Sequence, residues 1–504
     1  MSAWSQNIPI EGAVELPPDP RAMDALGRNH SLGTALADLV DNSLDADSAD
    51  VLIRFVQRGS RLVGLYVVDN GRGIDPDQVD AAMTVGGKRQ YTTEDLGHFG
   101  LGLKAASFSQ AASLTVMTRA AGQKAVGRRW QVNTHRQGFV CDIVPGVFAA
   151  DELDRDWRIP MNASGTVVRW DSVNGFPSTD DPDQVEEFLS RTISHLQGHL
   201  GLTFHRIIAK RGVRIWIDVE NTEHGVGVRH RVEPTDPFAY SNAPAGWPKS
   251  LRAQAEGKEL ILNCHIWPGR SNNPGFRLPG GADERQGLYF YRRGRLLHAG
   301  GWEGIHAPNK KLCLARICID IDGDAAGMFR MNPEKTRVLA GPGFAAAVAA
   351  AQADDGTTVA DYLRAAEATW TDSNRRVSAR RKAVLPPGKG FHPKVSREIR
   401  DELPMIKDDP LNIQWKRFPT DVFLEFDRDT RTLWLNRAYR QALLGGRRGG
   451  SNDIPIIKSL LFLLVGNVFE GSHLGPRDKD NIDLWQEVLT AAAKAEKATF
   501  EARS

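Results

Sequence analysis

A chain of 504 residues is too long for one hydrophobic core, so several domains are expected. With 41% hydrophobic and 25% charged residues it has the composition of an ordinary soluble globular protein, and a formal net charge of +2 gives no global attraction for nucleic acid, so any DNA contact must come from a local patch. The most apolar stretch, Ile454 to Val465, is interrupted by Pro455 and Lys458 and is too short to span a bilayer. The first residues show no basic segment followed by an apolar run, as a secretory signal would. The cysteines (Cys141, Cys264, Cys313, Cys318) are scattered, and the Cys313/Cys318 pair inside LCLARICI reads as buried core rather than half a metal site. These features point to a reduced, cytoplasmic protein without a membrane partner.

In chain order, residues 1–30 are Pro-rich and aperiodic and read as an arm. From 31 to 175 helical and strand patterns alternate: Leu32, Leu36, Leu39 and Val40 share a helical face, and the strands VLIRFV and LVGLYVV follow. A second mixed region, 185–355, has a helix at 183–200, then the strands VRIWIDV, ELILNCHIW, GLYFYRRGRLL and LARICIDI, and the helix-prone FAAAVAAAQ. Residues 373–397 carry Arg375, Arg376, Arg380, Arg381, Lys382, Lys389 and Lys394 among Pro and Gly, and read as a basic linker. Such a cluster can neutralise phosphates, although many basic runs are only solvated connectors. Residues 398–504 read as a small α+β module, with a strand pair in VFLEFDRDTRTLWLN and helices at 455–465 and 481–501.

Three motifs carry chemistry. In DLVDNSLDA, Asp38 and Asn42 stand one helical turn apart, with Asp45 a turn further on. A carboxylate and an amide so placed can hold an attacking water and a magnesium ion, which wants oxygen ligands; alone, the pattern is more often a solvated acidic face. In VDNGRGI, directly after a strand, Asp69 can accept a hydrogen bond from an exocyclic amine while Gly71 and Gly73 let backbone approach a flat ring; alone, it is equally an Asn-Gly turn. GHFGLGLKAAS is a Gly-rich loop opening a helix, which presents unpaired N–H groups to phosphate oxygens, and it lacks the Gly-Lys-Ser/Thr ending of a P-loop.

Together and in this order the motifs resemble the N, G1 and G2 boxes of the GHKL superfamily (gyrase, heat-shock chaperone, histidine kinase, MutL), and among its branches the MORC-like proteins and type II topoisomerase B subunits. Gly165-Thr166 in SGTVVRW resembles the superfamily's last box, and residues 75–96 stand where it has a mobile ATP lid. The resemblance implies an α/β (α+β sandwich) architecture: a Bergerat-type ATPase domain at 31–175, a transducer-like α/β domain at 185–355, and the C-terminal module. It implies ATP and Mg²⁺ as cofactors, with Asn42 as metal ligand and Asp69 and Thr166 reading adenine. Gly71 and Gly73 would be the close-packing turn residues. Lys88, Gly97, His98, Phe99, Gly100, Leu101, Gly102, Leu103 and Lys104 would belong to the nucleotide-binding set.

One departure matters. Where the family places a glutamate as general base this chain has Asp38, one methylene shorter, so hydrolysis depends on whether the backbone makes up the reach. GLYFYRRGRLL and FRMNPEKTR resemble transducer segments of MORC and MutL-type proteins, and Lys335 stands where the family sends a lysine to the γ-phosphate; the alternative is an exposed loop lysine. A histidine kinase is disfavoured, because no phospho-accepting helical hairpin precedes the domain. The reading is an ATP-gated homodimeric clamp in DNA-directed work such as bacterial restriction or phage defence, with DNA at 373–397 and a nuclease or other defence protein as partner. The alternative is a scaffold that binds ATP with little hydrolysis and recruits partners through residues 398–504.

Overall fold

The computed structural model describes residues 30–84, 102–131, 140–161, 163–255, 258–322, 329–331, 338–341, 343–380, 382–470 and 475–503. The chain divides into two compact units, Met1–Trp370 and Thr371–Ser504. Among the described residues no helix is long and apolar enough to cross a membrane. The expected arm lies outside the described residues, apart from its last residue, His30, which is buried.

The first unit is built on a large mixed sheet. Its strands are β1 (Asp50–Arg58), β2 (Arg61–Asp69), β3 (Ala111–Arg119), β4 (Val126–Gln131), β5 (Asp142–Val144), β6 (Gly165–Val173), β7 (Arg214–Asn221), β8 (Gly225–Val226) and β9 (His230–Arg231). They run in the order β5-β4-β3-β6-β2-β1-β7-β8, with β9 also pairing β7. Alternation along β1 explains its two-sided burial. Val51, Ile53 and Phe55 face the main helical core, and Leu52 faces a second cluster with Tyr66, Met117 and Trp157. Arg54, between those apolar residues, is tolerated in the interior because Asp218 on the parallel neighbour β7 accepts from its Nε and Nη2, both at 2.7 Å.

The helices over the main face are α1 (Leu32–Asp45), α2 (Val79–Met83), α3 (Gly102–Gln110), α4 (Gly146–Leu153), α5 (Pro182–Thr203) and α6 (His205–Arg211), except that α4 covers the opposite face through Ala149 and Leu153. Helix α1 starts at Ser31, whose hydroxyl caps the Thr34 N–H. Contrary to the expected end of the first domain near 175, the sheet continues beyond it. Val185, Leu189, Ile193, Leu196 and Leu200 of α5 complete its core, and β7 adds a parallel strand beside β1.

The second sheet of this unit has β10 (Lys249–Ala255), β11 (Lys258–Ile266), β12 (Gly287–Arg292), β13 (Arg295–Ala299) and β14 (Ala315–Asp320), ordered β10-β11-β14-β12-β13. A short ribbon of β15 (Phe329–Met331) and β16 (Val338–Ala340) follows. Its core gathers Leu262, Phe290, Ile317 and Trp267 with α7 (Phe344–Ala350) and the start of α8 (Val359–Arg380).

The second unit holds a three-stranded sheet, β17 (Asn412–Lys416), β18 (Leu424–Asp427) and β19 (Thr432–Asn436), with β19 central. Helices α9 (Pro393–Glu402), α10 (Arg440–Leu443), α11 (Pro455–Val465) and α12 (Pro476–Arg503) accompany it. The stretch read as a linker is structured: it includes helix, and Leu385 and Phe391 are buried in this unit's core.

Candidate nucleotide site

Strand β2 delivers Asp69 to its C-terminal end, 5% exposed. Its carboxylate accepts from Ser43 Oγ on α1 at 3.1 Å, from Ser48 Oγ at 3.1 Å and from the Gly71 N–H at 2.9 Å. Burial pushes the Asp69 carboxyl up from the ordinary value, and the Gly71, Ser48 and Ser43 hydrogen bonds pull it only part of the way back. Asn70 ties the turn to β1, its Oδ1 accepting from the Ala49 and Asp50 N–H groups at 3.0 and 2.9 Å.

The glycines around Asp69 are required by contact. A Cβ at Gly71 would stand 2.6 Å from Ser48 Oγ and 2.7 Å from the Ala46 carbonyl. Gly73, at φ 71°, has the Arg119 carbonyl 2.1 Å from where its Cβ would be. Thr166 pairs with Asp69 across β2 and β6 and is 8% exposed. Its hydroxyl lies 3.1 Å from that of Thr118, which donates to the Gly165 carbonyl and accepts from the Ile74 N–H. Ser43, Ser48 and Thr118 are site residues that sequence reasoning did not single out; the first two lie within the segment DNSLDADS, Ser43 buried on α1 and Ser48 buried just beyond its end.

On α1 the expected sharing of one face holds only in part. Asn42 is exposed, whereas Asp38 is 2% and Asp41 0% exposed. Both buried carboxylates face Arg295 of β13, which donates from Nε to Asp41 Oδ1 at 2.8 Å and brings Nη2 within 3.5 Å of Asp38 Oδ1. The helix is therefore buried on the acidic side as well, because a cation from the second sheet covers it. Neither Asp41 nor Arg295 was singled out from the sequence.

Gly102, Leu103 and Lys104 open α3. Space is open where a Cβ on Gly102 would point, Leu103 packs on the main core, and the Lys104 ammonium donates to the Ala82 carbonyl of α2. Lys88, Gly97, His98, Phe99, Gly100, Leu101 and Lys335 lie outside the described residues. Cys313 and Cys318 are both buried, and Cys318 accepts a hydrogen bond from Arg206.

Residues 30–145 match the family described as Histidine kinase-, DNA gyrase B-, and HSP90-like ATPase. This span carries Asp38, Asn42, Asp69 and the start of α3. Residues 30–145 thus carry a domain of the GHKL ATPase type. Over 80 residues it is 38% identical to the DNA mismatch repair protein MutL of Aquifex aeolicus (strain VF5), an alignment covering 16% of this chain. The chain spans only 18% of the length of that relative. In three dimensions it is similar to the crystal structure of the N terminal domain of a DNA repair protein, at 16% identity and a TM-score of 0.38, covering 71% of this chain and 98% of the other.

Proposed function

We propose that this chain binds Mg²⁺-ATP at Asp69 and hydrolyses it slowly, as an ATP-gated dimeric switch in DNA-directed work. The observation that carries the reading is the Asp69 carboxylate. It is buried at a strand end, held by neutral donors, and flanked by Gly71, Gly73 and Thr166. A carboxylate so held is an acceptor for an exocyclic amine, and the glycines let the turn beside it pack closely on Ser48, Ala46 and Arg119. These residues fit adenine.

The remaining roles follow from position. Asn42, exposed on α1, offers an amide oxygen to magnesium, which when bound would neutralise phosphate charge. Gly97 to Gly102 would cradle the phosphates at the start of α3, and Lys335 would sense the terminal phosphate. Asp38 would take the proton of the attacking water. The similarity to a DNA mismatch repair protein supports a DNA-directed role, and exposed Arg375, Lys389 and Lys394 are available for phosphate contact. A restriction or phage-defence setting, with a nuclease as partner, extends the MORC resemblance.

A second reading is favoured by one contact, the Arg295 guanidinium facing Asp38. If that cation sequesters the base, the chain is a scaffold that binds ATP and dimerises with little turnover. Sedimentation with a non-hydrolysable ATP analogue and with ADP, alongside steady-state phosphate release, separates the two. The switch requires more dimer with the analogue than with ADP, and measurable magnesium-dependent release. Dimerisation without release leaves the scaffold, and equal behaviour with both nucleotides removes the gated dimer.

A further inference from the structure

Arg295 opens β13, the second strand of the β12–β13 hairpin at the edge of the five-stranded sheet. The hairpin turns at Arg293 and Gly294, with φ angles of 49° and 81°. At Gly294 a Cβ would sit 3.5 Å from Ile207 of α6, so the tip is seated on that helix. The turn brings the Arg295 side chain, 4% exposed, up to α1. There one guanidinium serves two carboxylates a helical turn apart: Nε hydrogen-bonds Asp41 at 2.8 Å and Nη2 faces Asp38 at 3.5 Å, while the Phe204 ring lies 5.8 Å from its centre.

Two further features give this contact leverage. Asn42 follows Asp41 directly on α1, so whatever fixes Asp41 fixes the neighbouring amide and the Asp38 turn together. A cavity of about 240 Å³ lies beside the contact, lined by Thr34, Ala37, His199, Arg285, Arg295 and His298. Packing between α1 and β13 is therefore incomplete, and the ion pair carries the register between them. A base that is one methylene short has to obtain its reach from helix placement.

We propose that Arg295 is a positioning residue for the ATPase: anchored in the second sheet, it sets α1 through Asp41 so that Asp38 and Asn42 stand at working distance. The second sheet then controls turnover rather than nucleotide affinity, since two of the three Asp69 donors, Ser48 and the Gly71 N–H, lie outside α1. This inference rests on the ATPase reading above.

The test uses the full chain carrying Arg295→Gln, Arg295→Lys or Asp41→Asn, with Mg²⁺-ATP affinity measured by calorimetry, kcat by phosphate release, and folding by thermal melting. Arg295→Gln should lower kcat about tenfold to a hundredfold while the dissociation constant moves less than about threefold. Arg295→Lys, which keeps the charge but loses the fork, should fall between the two. Asp41→Asn removes the charge of the same pair from the other side and leaves only a neutral amide oxygen to accept, so it should slow turnover in the same direction, and the double variant should be no slower than Arg295→Gln alone. If Arg295→Gln does not fold, unchanged kcat in both Arg295→Lys and Asp41→Asn overturns the proposal. Unchanged kcat, faster kcat, or equal losses of rate and affinity in Arg295→Gln would also overturn it and leave the ATPase standing. A wild-type chain with no ATP hydrolysis at all removes the ATPase reading, and this role with it.

Discussion

Asp69 and the Asp38/Asp41 pair are buried carboxylates of one domain, and the chain makes them tolerable in opposite ways. Asp69 is satisfied by neutral donors, Ser43, Ser48 and Gly71, the farthest of which is 26 residues away in sequence. Asp38 and Asp41 are faced by a guanidinium, and Arg295 stands 254 residues beyond Asp41. Neutral local donors leave a carboxylate able to accept one more hydrogen bond from a ligand. A distant cation ties a carboxylate to another part of the molecule. The recognition proposed for Asp69 is local, and the machinery proposed for turnover is coupled over a long range.

The largest expected effect is on the cation-faced side. Asp38→Ala should lower hydrolysis by about 10²–10⁴-fold with ATP affinity nearly unchanged, read by phosphate release and calorimetry. Asp38→Glu restores the family's reach: faster turnover would mean a pocket of family dimensions, and slower turnover would mean that the backbone has moved in to suit aspartate. If neither change affects the rate, Asp38 is not the base and the contrast between the two sites collapses to a structural one.

The Asp69 side can be broken through its backbone. Gly73→Ala would place a Cβ 2.1 Å from the Arg119 carbonyl at φ 71°, where the obstacle is main chain and cannot rotate away. A destabilisation of roughly 2–4 kcal/mol is expected, seen as a lowered midpoint in urea. An unchanged midpoint would mean that the close approach does not hold the turn.

A smaller effect sharpens the comparison by pH. Beside Arg295, His199 is pushed down to about 4, by burial first and then by Arg295, His195 and Arg285. With its folded value below its unfolded one, the neutral form is favoured, so its contribution is intact above pH 6.5 and is lost as pH falls towards 4. The loss attached to this residue should be on the order of 2 kcal/mol after solvent screening. His199→Gln should flatten that part of the acid-stability curve. His265 titrates in the same window, so a residual slope is expected, and no change at all would contradict the assignment.

How much of this was legible follows the same division. The strands of β1 and β2, the helix of α1 and the turn at Asp69 announce themselves by local period and by Gly and Asn at defined offsets. Ser43 and Ser48 were within view, since polar residues among the buried positions of a helix and its exit need partners. Arg295 was not, because nothing in the sequence around an edge hairpin indicates which helix its side chain will meet. The first domain's extent was missed for a related reason. Helix α5 is amphipathic and would suit any sheet, and the parallel pairing of β7 with β1 is a long-range choice. The basic stretch around Leu385 and Phe391 read as a linker because a few apolar residues, Val384, Leu385 and Phe391, among Arg, Lys and Pro carry no period.

The central claim is that Asp69 is the adenine acceptor. It is tested most directly by titrating wild type and Asp69→Asn with Mg²⁺-ATP in a calorimeter. The asparagine keeps the shape but can turn a donor towards the adenine amine, so affinity should fall by roughly 1–3 kcal/mol while the variant still melts as a folded protein. A folded Asp69→Asn chain that binds ATP as tightly as wild type would contradict the account.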